Sequence, residues 1–390
     1  MNHTNAIRSS LAALLLGILV TLPASGARPV VTAYVFPQNG VLQAGDIDPH
    51  RVDRINYAFV NIQDGKLVAG SPNDDANLAQ LLSLKKANPA LAVLISVGGW
   101  LGSGNFSDAA LTAHSRQAFI ESATNFIASH NLDGLDVDWE YPGMAGATNH
   151  FRPEDKRNFT LLLEGLRERF DRESKGTHKH LYLTIAAGAD ESFLEHTEMA
   201  KVQTYLDAVN LMSYDYYEAG SDPITGNHAP LFTDPDDPKK ASADASVKAY
   251  EAAGVPASKI ILGVPFYGRM WGQVADVHHG MFQSGKPIPN SYAPYSAIVS
   301  TMLDHGYTRY WDAAANAPYL YNTEKQIFVS YDDPASLALK CSYVRTHKLG
   351  GMMFWSYFND ANRALLDAID RGLGVNPASA AGNSSVPAPH

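Results

Sequence analysis

Cysteine is almost absent: one residue, Cys341, stands in 390. A single thiol cannot build an internal disulfide framework or a cysteine-based zinc site, so burial must hold the chain together. Positive charge is also scarce, with 30 Lys and Arg against 40 Asp and Glu for a net charge of −10. That sign is wrong for a protein that neutralises nucleic-acid phosphates or anionic lipid, and neither is expected as a partner. No Gly-x-Gly-x-x-Gly follows any apolar run, which counts against a dinucleotide fold. No apolar run reaches the roughly 20 residues that cross a bilayer. What the chain has in quantity is apolar and aromatic. Hydrophobic residues make up 45% and charged residues 18%, far from the balance of a disordered chain. Five Trp, 19 Tyr and 15 Phe supply a core and flat surfaces on which a ligand can stack.

The ends differ from the middle. Arg8, an apolar run over residues 11–22 and the small residues Ala24-Ser25-Gly26-Ala27 have the pattern of an export signal over residues 1–27. A secreted or extracytoplasmic mature chain is therefore expected. Residues 373–390 are rich in Pro, Ala, Ser and Gly without periodicity, the composition of a flexible tail.

Between the ends, eight short, nearly continuous apolar runs alternate with helical patterns. The runs cover residues 30–36, 55–62, 92–97, 134–139, 181–186, 208–214, 260–265 and 351–355. Each reads as a strand buried on both faces of a parallel sheet. Helices are expected over 76–86, 115–129, 154–172, 191–204, 241–253, 334–347 and 360–371. Eight such units predict an α/β fold of the closed (β/α)8 barrel type. The spacing breaks once, after residue 265, where more than a βα unit is present. Loops of that length without structure are uncommon. Residues 269–330 are thus expected to form a small α+β insertion between strand seven and helix seven. The barrel itself takes residues 28–268 and 331–372.

Strand four carries the chemistry. It reads Leu132-Asp133-Gly134-Leu135-Asp136-Val137-Asp138-Trp139-Glu140-Tyr141. Side chains alternate along a strand, so Asp136, Asp138 and Glu140 share one face while Leu135, Val137 and Trp139 share the other. Three carboxylates stacked on one dry face oppose every rule for a strand core. Like charges so close cannot all ionise, and at least one stays protonated near neutrality. A protonated carboxyl at the C-terminal mouth of a barrel is a general acid. Glu140, nearest the mouth, is assigned that role. Asp138 orients a neighbouring group, and Asp136 is expected to share a proton with Asp138. Asp133 reads as a structural anchor at the start of the strand.

Asp133-x-x-Asp136-x-Asp138-x-Glu140 resembles the DxxDxDxE signature of the family-eighteen glycoside hydrolases, the chitinases and their relatives. Other segments are similar to the same family: Ser96-Val97-Gly98-Gly99-Trp100, Met212-Ser213-Tyr214-Asp215, Pro265-Phe266-Tyr267-Gly268-Arg269 and residues 350–355. The insertion coincides with the chitinase insertion domain of one subgroup. The resemblance implies cleavage of β-1,4-linked N-acetylglucosamine chains by substrate-assisted retention, the family's departure from the two-carboxylate scheme. Glu140 would protonate the glycosidic oxygen and the substrate's acetamido oxygen would attack. Asp138 would accept the acetamido N–H, and Tyr214 would donate to the acetamido oxygen. Trp355 would floor the cleaved sugar's site, with Trp100 as a further platform. Tyr34, Phe59, Met212, Asp215, Tyr267 and Arg269 are candidates for the cleft wall. Gly98 and Gly99 would let backbone approach the carboxylate row. Chitin or N-acetylglucosamine oligosaccharides are the implied partners of a monomer that needs no metal or cofactor.

The residues alone leave alternatives. Asp138 could attack directly as a nucleophile. Another N-acetylglucosamine linkage, in N-glycan cores or wall glycan, could be the target, or the chain could be a non-catalytic lectin on the same fold. Strand one also lacks the Trp often found just after it in the family, Gln38-Asn39 standing there instead, so a distal stacking site is expected to be missing. His278-His279, the acidic stretch Asp234-Pro235-Asp236-Asp237, the Asn-x-Ser/Thr sites at Asn105, Asn158 and Asn383, and a buried Cys341 carry no further assignment.

Overall fold

The computed structural model describes residues 28–147 and 149–375. The expected export signal and residues 376–390 of the expected tail lie outside the described residues.

Eight parallel strands close on themselves. They are β1 (Val30–Val35), β2 (Arg54–Gln63), β3 (Ala92–Gly98), β4 (Gly134–Asp138), β5 (Tyr182–Gly188), β6 (Ala208–Met212), β7 (Ile260–Pro265) and, after the insertion, β13 (Gly351–Trp355). Each pairs with its neighbours in parallel, and β1 pairs with both β2 and β13, which shuts the barrel. All eight strands match the apolar runs to within two residues. Their outward side chains pack under the helix ring in one large apolar core, while Tyr34, Ala58, Ala208, Ile261 and Met353 meet inside the barrel.

A second sheet follows β7 after a single residue. It comprises β8 (Tyr267–Gly272), β9 (Lys286–Pro294), β10 (Thr308–Asp312), β11 (Ala317–Asn322) and β12 (Ile327–Ser330), antiparallel in the order β9-β8-β12-β11-β10. Helix Tyr295–Thr301 lies among these strands.

The helices depart from expectation at four points, one of them helix Asp155–Thr177, which runs past residue 172 to a left-handed cap at His178. Residues 191–204 form two helices, Glu191–Glu195 and Met199–Tyr205, broken where the chain passes Thr197. Helix Phe106–Leu111 has no counterpart in the sequence reading, because six residues are too short to show a period. The last helix starts at Ala364 rather than 360, because the Asp360 carboxylate stays outside and accepts from the Leu365 and Leu366 amides. Elsewhere the ends follow their caps. Thr112 and Ser115 close a capping box on helix Ala113–Ser129, and Asp333 with Pro334 opens helix Pro334–Thr346.

The base of β4 is held as expected. Asp133 takes Lys85 at 2.7 Å, Lys179 at 2.9 Å and the Val93 amide at 2.8 Å.

Candidate active site

Alternation along β4 places Asp136 and Asp138 on the barrel's inner side, and Trp139 outside, where it stacks on Phe106 with centroids 5.1 Å apart. The strand ends at Asp138, one residue sooner than expected. Glu140 therefore stands on the first residues past the strand, and Ser103 holds it there. The Ser103 hydroxyl donates to the Asp138 carbonyl (3.1 Å) and accepts the Glu140 amide (2.9 Å).

Asp136 is fully buried and saturated. Its Oδ2 accepts from Tyr34 Oη (2.9 Å) and Ser96 Oγ (2.8 Å), and its Oδ1 from Thr184 Oγ1 (2.5 Å) and Asn210 Nδ2 (3.0 Å). Burial pushes its pKa up, and these four donors pull against that shift. No hydrogen bond joins Asp136 to Asp138, so the expected sharing of a proton between them is not seen. Four donors on two oxygens leave it no room. Asp138, by contrast, is buried with Oδ1 unpartnered. Burial, then the charges of Glu140 and Asp136, drive its pKa well above the usual carboxylate range. Burial also raises Glu140, to about 7, with the Asp215 charge adding and a hydrogen bond from Tyr141 opposing. Asp138 and Glu140 thus titrate as a pair that holds a proton near neutrality.

Around the row lies a cleft of about 1170 Å³. Tyr214 reaches it from the end of β6. Burial, with the charges of Asp138, Asp215 and Glu140, keeps its phenol protonated and hence a hydrogen-bond donor. The far wall is an ion pair: Arg269 grips Asp215 through two bonds of 2.7 Å, and Tyr267 Oη donates to the same carboxylate at 2.7 Å. Burial alone would raise Asp215, but His228 and Arg269 outweigh it and hold the carboxyl far below its usual range. The floor is aromatic. Phe59 and Phe36 each stack on Trp355 at 5.5 Å, and Tyr34 meets it at 5.8 Å. Trp100 lines the cleft too, 51% exposed and edge-on to Tyr141.

A family model for glycosyl hydrolases family 18 matches residues 31–360. The chain belongs to that family. Chitinase A1 of Niallia circulans is 36% identical over 84% of this chain, which spans only 56% of that relative's length. A family-18 N-acetylglucosaminidase from Paenibacillus barengoltzii has a solved structure with TM-score 0.82 and 42% identity, covering 88% of this chain and all of that one. Human YKL-39, described as a pseudo-chitinase with retained chitooligosaccharide binding, matches at TM-score 0.80 and 26% identity over 89% of this chain and all of that one.

The family-18 cleft gathers nearly every residue singled out from the sequence. Tyr34, Phe59, Gly98, Trp100, Asp138, Glu140, Met212, Tyr214, Asp215, Tyr267, Arg269 and Trp355 all line it. Asp136 lies beneath it. Gly99 packs behind it, where an added Cβ would sit 2.6 Å from the Phe59 ring. Gly98 has φ of +107°, and a Cβ there would stand 2.2 Å from the Asp138 carbonyl oxygen, so only glycine lets β3 approach the row. Sequence reasoning missed Phe36, Ser103, His228 and Tyr292. Tyr292 comes from the insertion, stacks on Tyr267 at 4.4 Å and accepts from Asn359 at 2.7 Å. Nothing in the local pattern of β9 distinguishes it from the other tyrosines of the insertion. Phe36 follows β1 immediately, and the signal there is its place two residues after Tyr34, on the same face of the extended chain at the barrel mouth.

Proposed function

We propose that this family-18 hydrolase cleaves β-1,4-linked N-acetylglucosamine chains by substrate-assisted retention, as a chitinase exported from the cytoplasm. The observation that carries the reading is Glu140, partly buried beside Asp138 and raised to about 7, at the edge of an aromatic-floored cleft. A carboxylic acid with that pKa is half protonated at neutral pH and suits general acid catalysis.

The steps follow from the side chains. An N-acetylglucosamine ring lies on Trp355 with its acetamido group down toward Asp138 and Tyr214. The Tyr214 hydroxyl donates to the acetamido oxygen and aims it at the anomeric carbon. Glu140 gives its proton to the glycosidic oxygen, the bond from anomeric carbon to oxygen breaks, and the acetamido oxygen closes on that carbon. With the pair's proton spent, anionic Asp138 accepts the acetamido N–H and balances the positive oxazolinium ring. Glu140, now a carboxylate, takes a proton from water, whose oxygen attacks the anomeric carbon from the face the leaving sugar vacated. Two inversions give retention.

Release of single N-acetylglucosamine units from chain ends is the second reading, supported by the name of the Paenibacillus barengoltzii relative. The lectin reading is disfavoured because the acid itself, Glu140, is in place. Incubation with chitin oligomers of graded length, with product sizes followed over time, tests these readings. Production of dimers and longer fragments supports the chitinase, monomers alone support the second reading, and binding without cleavage overturns both. Export is tested by locating the protein in cell fractions of a host that expresses the full chain.

A further inference from the structure

The inside of the barrel below the carboxylate row is unusually polar. In β1 and β2 the even-numbered side chains face inward, because Tyr34 and Ala58 meet the inner cluster there while Val31, Val35 and Ile55 join the outer core. Thr32, Arg54 and Asn56 share that inward face, and the register sets Thr32 beside Arg54 and Tyr34 beside Asn56. Barrel interiors are ordinarily filled by Val, Ile and Leu. Here Thr32 and Asn56 are fully buried and Arg54 is 7% exposed. Thr32 Oγ1, both ends of the Asn56 amide, Arg54 Nε and Nη1, and Asn210 Oδ1 have no partner within the protein. Asn210 uses its other end on Asp136.

Buried polar groups are satisfied by protein or by ordered water, and a buried water makes about three hydrogen bonds. The unpartnered atoms come from β1, β2 and β6 and face one interior, so solvent held among them satisfies several at once. The guanidinium is the unusual member. It lies 5.0 Å from the Tyr182 ring and forms no ion pair with any described carboxylate. A buried charge without a counter-charge is costly. The Tyr182 ring stands beside Gly134, two residues before Asp136 on β4, so the guanidinium lies beneath the carboxylate row; of the carboxylates that act on it, Asp207 comes before Asp136. Asp207 is engaged by Arg167 and His180, whereas Asp136 has hydrogen bonds but no cation. We propose that Arg54 is a positioning residue for the carboxylate row: through ordered water held by Thr32, Asn56 and Asn210, it supplies the positive charge beneath Asp136 and keeps that carboxyl an anion. Asp136 then stays fixed as acceptor for its four donors, and the mobile proton is confined to Asp138 and Glu140.

This inference rests on the hydrolase reading above, and its test separates the two. The pH dependence of kcat/KM on a chitin oligosaccharide is measured for the parent, Arg54→Met and Arg54→Lys. The acidic limb should move to higher pH by on the order of one unit in Arg54→Met, with KM little changed, because an uncompensated Asp136 takes up a proton sooner. Arg54→Lys should restore the parent profile. A folded Arg54→Met with an unmoved limb overturns the proposal, as does an Arg54→Lys profile shifted as far as that of Arg54→Met, which would make the role one of shape. Should Arg54→Met not fold, a high-resolution crystal structure of the parent decides. Ordered water joining Arg54 to Thr32, Asn56 and Asn210 beneath Asp136 supports the proposal and a dry interior contradicts it. A parent inactive on every chitin oligomer undoes the hydrolase reading instead.

Discussion

Asp215 and Arg269 face each other across the wall of the cleft in a two-pronged ion pair, both bonds 2.7 Å long, 54 residues apart in the chain. One partner lies in the loop just past barrel strand β6 and the other belongs to the second sheet. Arg269 keeps Asp215 ionised, and the Asp215 anion adds to burial in raising the pKa of Glu140.

Asp215→Asn should therefore move the alkaline limb of kcat/KM to lower pH. The sign follows from the charge. Asp215 raises Glu140, the acid must be protonated to work, and activity falls as pH rises through about 7. Removing the negative charge lowers that pKa, so the fall comes earlier. A limb that stays in place or moves to higher pH contradicts the account.

Glu140→Gln should be more stable than the parent above neutrality. A carboxyl raised from its usual value costs folding free energy once it must ionise, progressively between its unfolded pKa near 4.3 and its folded value. The variant should gain about 1–3 kcal/mol at pH 8 and nothing below pH 4, read by urea unfolding at both pH values. Equal stability at pH 8 contradicts the burial of the acid.

Trp355→Ala removes the floor on which Phe36 and Phe59 stack. The lost stacking on the sugar should lower kcat/KM by roughly 10²-fold or more, with KM rising, because the ring contributes both apolar contact and orientation. An unchanged KM on chitin oligomers would place the sugar elsewhere.

Gly98→Ala should weaken both fold and activity. A methyl group there meets the Asp138 carbonyl oxygen at 2.2 Å and needs a φ that alanine rarely adopts. The variant should melt lower and lose activity in step with displacement of Asp138. A variant of parental stability and rate refutes the close approach.

Much of this site could be read from residue order because its logic is local. The alternation of Asp136, Asp138 and Glu140 needs only a strand, and the apolar residues between them announce one. Asp133 could be placed for the same reason. What escaped was built from distant chain. Tyr292 joins the cleft because β9 pairs with β8, and His228 lies behind Asp215 because the loop after β6 folds against β12, where the Ser330 hydroxyl accepts its amide. Spacing along one strand predicts proton sharing between Asp136 and Asp138. That expectation fails because Tyr34, Ser96, Thr184 and Asn210 arrive from four other strands, and no single strand reveals its neighbours.

The central claim is that the substrate's own acetamido group, aimed by Tyr214 and Asp138, does the attacking. NMR of a chitin oligosaccharide during the first minutes of cleavage, beside its fully deacetylated counterpart, tests it most directly. The account predicts that fresh reducing ends emerge in the β form and that the deacetylated chain stays intact. Fresh α ends, or ready cleavage of the deacetylated chain, would contradict it.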